Sequence, residues 1–182
     1  MSLESAVLAR LAAWRHAPAW LVAFSGGLDS SVLLHLLATA AQQHELPLIR
    51  AVHINHGLQA VSDHWPAYCQ RVCDELNVPL DTVPVQVAPG ASLERAAREA
   101  RYVAFSELMK VDEVLLLAQH QDDQAETVLY RLLRGAGVRG LAAMSHSRSL
   151  GQGHAVRPLL DVPRKTLEAY AAHHGLQWVE DP

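Results

Sequence analysis

Hydrophobic and polar positions along this chain fall into two kinds of block. Short apolar runs bounded by turn residues suit buried strands, and runs with apolar residues at i, i+3, i+4 and i+7 suit helices. An amphipathic stretch at about Leu3–Trp14 predicts an opening helix. After Pro18, the run Trp20-Leu21-Val22-Ala23-Phe24 predicts a buried parallel strand that ends in Gly-Gly. From Asp29 to about Gln43 the period turns helical, with Val32, Leu33, Leu36 and Leu37 on one face. The alternation then repeats: strand at Leu48–Ile54, helix at Asp63–Leu76, strand at Leu80–Val85, helix at Ser92–Lys110, strand at Glu113–Ala118 and helix at Asp122–Arg134. Strands separated by helices imply βαβ units with right-handed crossovers. The expected fold class is therefore α/β, a doubly wound, mostly parallel five-stranded sheet with helices on both faces. Beyond Arg134 the texture changes to glycine, serine and arginine (RGAGVRGLAAMSHSRSLGQGHAVRP), which reads as a long surface loop. A last helix at about Arg164–His174 leads into Gln177-Trp178-Val179-Glu180.

Composition narrows the class. The 182 residues suffice for one sizeable core, and 50% hydrophobic with 19% charged residues is ordinary for a soluble globular domain. No apolar run approaches the roughly 18 residues needed to span a bilayer. The first residues lack the basic start and unbroken apolar stretch of a secretory signal, so the cytoplasm is the expected location. The only cysteines, Cys69 and Cys73, lie four apart on one helix face, which is no disulfide scaffold and reads as apolar packing, with a redox or thiol-transfer role as the alternative.

Charge is unevenly spread. Between Arg131 and Lys165 stand seven basic residues (Arg131, Arg134, Arg139, Arg148, Arg157, Arg164, Lys165) against Asp161 alone, a local +6. With a total of −4, the remainder carries −10. A basic block on an acidic protein suits a local polyanion site, and a solvated arginine-rich surface is the plainer alternative.

The segment Ser25-Gly26-Gly27-Leu28-Asp29-Ser30-Ser31 lies between a strand and a helix, where α/β sheets bind ligands. Paired glycines let backbone approach oxygen atoms closely, and helix-start N–H groups with the helix dipole favour an anion. The serines add hydroxyls, and Asp29 can orient a magnesium ion or a water. The loop lacks the lysine of GxxxxGK[ST] and the spacing of GxGxxG. Without a lysine on the terminal phosphates, it suits a β,γ-pyrophosphate held as leaving group, with attack at the α-phosphorus of ATP.

Three further constellations carry chemistry. His120, Asp122, Asp123 and Glu126 open a helix after the most apolar strand, and an imidazole with carboxylates can hold magnesium or run acid–base chemistry. Asp122 or Asp123 is the expected helix cap. Glu94, Arg98 and Arg101 share a helix face, and the arginines can grip phosphate or join a salt-bridge ladder. His53-Ile54-Asn55-His56-Gly57 ends a strand and can line a nucleotide pocket; two histidines without a third ligand do not read as zinc.

Taken in order, SGGLDSS, HINHGL, ERAARxARY, AQHQDDQAETVLYRLLRGAG, GLAAM, RPLL and a closing EDP resemble the tRNA(Ile)-lysidine synthetases, a family within the PP-loop (N-type ATP pyrophosphatase) superfamily. The resemblance runs from about Leu21 to Pro182. It implies an adenine nucleotide alpha hydrolase-like, Rossmann-like fold. It also implies ligation of L-lysine to C2 of the wobble cytidine of a CAU-anticodon tRNA(Ile). ATP would first adenylylate the cytosine oxygen and release pyrophosphate, and the lysine amine would then displace AMP. The codon read would change from AUG to AUA.

Carried over by motif, Ser25, Gly26, Gly27, Leu28, Asp29, Ser30 and Ser31 would hold ATP, with His53, Arg101, Arg134 and Gly135 also on the nucleotide side and Gly137 completing the family's RGxG turn. Asp29, His120, Asp123, Glu126 and Arg98 would be catalytic, and Asp29 with Asp123 would hold Mg²⁺. The implied partners are the tRNA and L-lysine, with a homodimer open and no membrane. The resemblance casts residues 1–182 as the N-terminal catalytic domain, with about 135–160 a basic substrate-facing loop. The family's C-terminal tRNA-binding domains would be absent, so the chain is expected to bind ATP and to modify tRNA poorly. One departure is Gln119-His120, where the family often has His-His. Two alternatives stand beside this reading: a 2-thiocytidine synthetase type of enzyme, for which Cys69-x-x-x-Cys73 has the wrong spacing, and an adenine-nucleotide-binding module without catalysis.

Overall fold

The computed structural model describes residues 2–55, 65–85, 93–135 and 143–180. After helix α1 (Leu3–Arg10) and a 3-10 turn (Ala12–Trp14), the chain alternates β1 (Ala19–Ala23), α2 (Leu28–Ala40), β2 (Leu48–Asn55), α3 (Trp65–Glu75), β3 (Leu80–Pro84), α4 (Leu93–Leu108), β4 (Val114–Leu116) and α5 (Gln121–Leu133). A hairpin, β5 (Ser147–Leu150) and β6 (Gly153–Val156), and then α6 (Arg164–His174) complete it. The α/β class and the doubly wound, mostly parallel sheet are as expected from the sequence.

The strand count is not. The sheet has six strands in the order β3-β2-β1-β4-β6-β5, all parallel except β5, which runs antiparallel to β6. Strands β5 and β6, neither of them among the four strands located from the sequence, both fall in the stretch expected to be a loop. They are four residues each, and Ser147-Arg148-Ser149 shows no apolar face because it is an exposed sheet edge. Their turn is Gly151-Gln152, with Gly151 at φ +55°, so a hairpin was written in residues that also read as loop.

Side chains alternate across the sheet and build a core on each face. From β1, Trp20 and Val22 join Val32, Leu33, Leu36 and Leu37 of α2 on one side, with Cys69 and Cys73 of α3 and Leu167 of α6. Leu21 points the other way, to Val52, Leu115 and Ala155 under Phe105 of α4 and Met109 just beyond it. At the amino end of the strands, Arg50 bridges Asp81 (2.8 Å) and the buried Glu113 (2.8 Å), tying β2 to β3 and to the start of β4.

The strand order fixes where a ligand can sit. β1 leads outward to β2 and β3, and β4 lies on its other flank, so the connections after β1 and β4 part at the carboxyl ends of adjacent strands. That switch point opens a crevice between the Ser25–Gly27 turn and the Leu117–His120 turn.

Candidate active site

The turn after β1 is braced by its own hydroxyls. Ser30 Oγ donates to the Gly27 carbonyl (3.0 Å) and accepts from the Ser25 N–H (3.3 Å) and hydroxyl (3.0 Å). Ser25 Oγ in turn accepts from the Gly27 N–H (3.3 Å). Gly26 sits at φ +86°, a region that glycine enters freely. Gly27 caps α2 without any side-chain bond to the first-turn N–H groups, leaving that helix start to an outside acceptor. The sequence casts Ser25 and Ser30 as donors to a ligand; here they shape the loop.

Two elements buttress this turn from behind. His53, at the end of β2, donates from Nδ1 to the Phe24 carbonyl (3.0 Å), and burial holds its imidazole pKa below the ordinary value despite that bond. A Cβ on Gly26 would stand 3.2 Å from Cys69 Sγ and 3.4 Å from the Trp65 indole nitrogen. Burial pushes both thiols up to about 12, so Cys69 and Cys73 are packing groups rather than nucleophiles.

The opposing turn carries His120, which is 3% exposed. It is the N-cap of α5, so the cap is neither Asp122 nor Asp123, and the helix begins one residue earlier than its carboxylates suggest. Its Nδ1 accepts from the Asp122 N–H (3.2 Å), while Asp123 Oδ2 accepts from the His120 N–H (2.8 Å), a reciprocal capping box. With Nδ1 accepting, the neutral ring carries its proton on Nε2, which faces Asp29 Oδ2 at 3.4 Å. The imidazole thus lies between two carboxylates, since Asp123 Oδ2 is 3.5 Å from Nδ1. Burial raises the Asp29 pKa above its ordinary value, outweighing the pull of His120 and Arg164, and the Asp123 charge adds to the rise.

These two turns wall a cavity of about 850 Å³. Of the residues singled out from the sequence, Ser25, Gly27, Leu28, Asp29, Ser30, His53, Arg98, Arg101 and Asp123 line it, and His120 stands against Asp29 just behind. Gly26 completes the turn, and Ser31 faces a second, smaller cavity beside Tyr68 and His35. Glu126, Arg134 and Gly135 are not brought to the cavity: Glu126 is exposed on α5, and Arg134 lies over the Tyr130 ring at the far end of that helix. Glu126 is one turn from Asp122 as the spacing implies, but it is Asp123 that turns inward. Gly137 and His56 lie outside the described residues.

Three contributors were not singled out. Trp65 lines the cavity from the start of α3. The segment after α6 supplies Trp178, Val179 and Glu180, and the Val179 N–H donates to the Gly26 carbonyl (2.9 Å) while the Tyr68 hydroxyl donates to the Gln177 carbonyl (2.6 Å). Gln119 lines the cavity with its Oε1 held by Arg157 (2.9 Å). The closing EDP was the available signal for the first part of this strap; nothing in the spacing of Gln119 and Arg157 announces their contact.

A nucleotide triphosphate and Mg²⁺ suit these groups. The uncapped α2 start and the positive-φ glycine offer backbone N–H groups to phosphate oxygens. Asp29 Oδ1 is buried without a hydrogen-bond partner among the described residues, which fits an oxygen kept for a cation. No group of three or more His, Cys, Asp or Glu that could hold a metal occurs among the described residues. Magnesium asks for less, because one or two carboxylates suffice when phosphates and waters complete its shell. Among the described residues, no helix is long and apolar enough to cross a membrane.

Comparison with known proteins agrees with this geometry. The chain is 61% identical over 182 residues to the tRNA(Ile)-lysidine synthase of Pseudomonas fluorescens (strain Pf0-1), covering 100% of this chain and 41% of that protein. It is 62% identical over 180 residues to the same-named protein of Pseudomonas aeruginosa (strain PAO1), covering 99% and 41%. The chain thus spans about two-fifths of the length of these curated relatives. Among solved structures, a U34-tRNA thiolase from Methanococcus maripaludis superposes with a TM-score of 0.78 at 18% identity, covering 99% of this chain and 65% of the other. The NMN synthetase of Francisella tularensis gives 0.61 at 14%, covering 97% and 72%. At such identities these two speak for the fold alone. The family model for the PP-loop domain (ATP_bind_3) matches residues 3–182, and the braced, lysine-free loop at the switch point is what that name describes: the chain belongs to the PP-loop domain family.

Proposed function

We propose that this chain is the ATP-using catalytic domain of a tRNA(Ile)-lysidine synthetase, a ligase that joins L-lysine to C2 of the wobble cytidine of CAU-anticodon tRNA(Ile), forming a carbon–nitrogen bond with release of AMP and pyrophosphate. The observation that carries this reading is the pairing of the lysine-free loop with the Asp29–His120–Asp123 cluster across one cavity. The names of the relatives that match nearly all of the chain support it.

In this reading the α2 start and the Ser25–Gly27 turn cradle the pyrophosphate that leaves. Asp29 and Asp123 would hold Mg²⁺, which would supply charge neutralisation on the phosphates. His120 keeps the carboxylate pair in place: its Nε2–H steadies one oxygen of Asp29, and its backbone N–H steadies Asp123. Arg98 and Arg101 reach into the cavity from α4, where a guanidinium meets developing phosphate charge. Phe105, Leu117 and Ala118 exclude water from the same wall. Glu126, Arg134 and Gly135, off the cavity, belong on the polynucleotide side. The cytoplasm is the compartment this function requires.

The buried, weakly acidic thiols speak against sulfur transfer through Cys69 and Cys73. The deciding experiment is a chimera in which this chain replaces the matching residues of the Pseudomonas fluorescens relative. Given ATP, radiolabelled lysine and the tRNA transcript, it should place label in tRNA and release AMP and pyrophosphate. A folded, ATP-binding chimera that leaves the tRNA unlabelled would sink the proposal.

A further inference from the structure

Three arginines converge on one tyrosine beside the cavity. The Arg98 guanidinium lies over the Tyr102 ring at 5.3 Å, and that of Arg148, from the edge strand β5, lies over it at 4.4 Å. Arg157, just past β6, is 4% exposed and gives Nε to Gln119 Oε1 (2.9 Å) and Nη1 to the Ser145 carbonyl (2.9 Å). Burial lowers the Arg157 pKa; the Tyr102 side chain works against this, while the charges of Arg148 and Arg98 add to it. The three cations therefore feel one another through a shared phenol.

No carboxylate pairs with Arg98, Arg148 or Arg157 among the described residues, although the other cavity-side cation on α6, Arg164, has Glu168 at 3.3 Å. Burying a guanidinium on neutral acceptors alone is costly, and placing like charges next to it costs more. An arrangement of this kind is stable in use when an anion completes it. A phosphate diester suits the planar forks of arginine, which grip two oxygens at once.

The patch occupies α4 and the β5–β6 hairpin, whereas the loop that fits ATP is built by β1 and α2. It also continues outward along Ser147-Arg148-Ser149, an exposed edge, rather than inward. We propose that Arg148 and Arg157, which meet the cavity-lining Arg98 at the Tyr102 ring, form a phosphate-binding subsite for the RNA backbone next to the nucleotide being modified, with Arg98 left to the phosphate chemistry inside the cavity. This deepens the tRNA reading above and rests on it. Arg148 makes the outer contact, and Arg157 is a positioning residue that also fixes the Gln119 amide so that its NH₂ is free to face the cavity.

Arg148→Ala tests the subsite without touching the core, because Arg148 is exposed on an edge strand. Binding of the CAU-anticodon tRNA(Ile) transcript is measured for this chain over a salt series, with ATP affinity measured alone. The variant should bind RNA about 5- to 10-fold more weakly at low salt, and its slope of log affinity against log salt should flatten by about one. ATP affinity should stay within about twofold. Unchanged RNA affinity and slope would overturn the subsite, as would a loss of ATP affinity with RNA binding intact, which would assign the patch to the nucleotide's own phosphates. A wild-type chain with no salt-dependent RNA affinity would overturn it too. A chimera that fails to ligate lysine while this chain still binds RNA through Arg148 would refute the lysidine reading and leave the subsite standing.

Discussion

Gly26 offers the sharpest test of the loop. Replacing it with alanine adds one methyl group at a residue whose φ is +86°, which costs about 1–2 kcal/mol in an L-residue. The new Cβ also stands 3.2 Å from Cys69 Sγ and 3.4 Å from Trp65 and Tyr68. Cys69 is fully buried on α3 and has little room to retreat, so crowding adds roughly 1 kcal/mol, the low end for overpacking. If the loop relieves this by leaving its conformation, ATP must restore it on binding. A total of about 2–3 kcal/mol corresponds to a roughly 30- to 150-fold rise in Kd. Gly135→Ala is the control, since Gly135 has φ +70° with nothing within 4 Å of its added Cβ and so carries the dihedral cost alone. Cys69→Ala in the Gly26→Ala background should recover the crowding share, about fivefold in affinity. Titration calorimetry with ATP reads the affinities, and urea denaturation reads stability in parallel. Gly26→Ala binding ATP within threefold of wild type, or losing no more stability than Gly135→Ala, would refute the reasoning.

Other outcomes follow from the same contacts. Arg50→Met leaves Glu113 buried at 3% exposure with the Lys110 N–H as its remaining donor, and should cost about 3–5 kcal/mol in urea denaturation, part of it regained with Glu113→Gln; a loss under 1 kcal/mol would contradict the bridge. Because the folded Asp29 pKa lies above its ordinary 3.8, the folded state favours the protonated form, and this group's share of stability falls as pH rises through that window and then levels off. Asp29→Asn should therefore gain on wild type as pH rises above 3.8, as read from the difference of their denaturation free energies; a difference that is flat or runs the other way would be evidence against it. With both thiols pushed up to about 12 from 9.0, iodoacetamide at pH 8 should label the native chain about a thousandfold more slowly than the unfolded one, and comparable rates would show the thiols to be accessible.

Much of the fold was legible because the core strands are apolar throughout. Trp20 to Val22 with Phe24, and Val114 to Leu117, are buried on both faces, and that kind of run survives without any knowledge of neighbours. The β5–β6 hairpin was not legible, since an edge strand reading Ser-Arg-Ser-Leu has no hydrophobic period to find. The loop Ser25–Ser31 could be located from residue types alone, because glycine pairs and helix starts act locally. Its union with His120 could not, because that contact depends on β4 lying beside β1, which strand order decides and local sequence does not. For the same reason, helix spacing grouped Glu126 with Asp122, yet the inward carboxylate is the one that answers the His120 backbone N–H, Asp123. Arg157 stayed hidden inside a basic block whose other members are surface residues or lie outside the described residues.

The bond from the Val179 N–H to the Gly26 carbonyl also sets a schedule. The nucleotide turn is made early in synthesis, while the strap that braces it emerges only after α6 has been translated. A nascent chain on the ribosome therefore carries the loop without this bond until α6 and the residues after it have been made, with Trp65 and Tyr68 waiting for the segment that covers them. Contacts so far apart in sequence close late and slowly. ATP added during translation should find a looser cradle until the strap is out, so the ligand favours chains that have passed α6 over shorter ones.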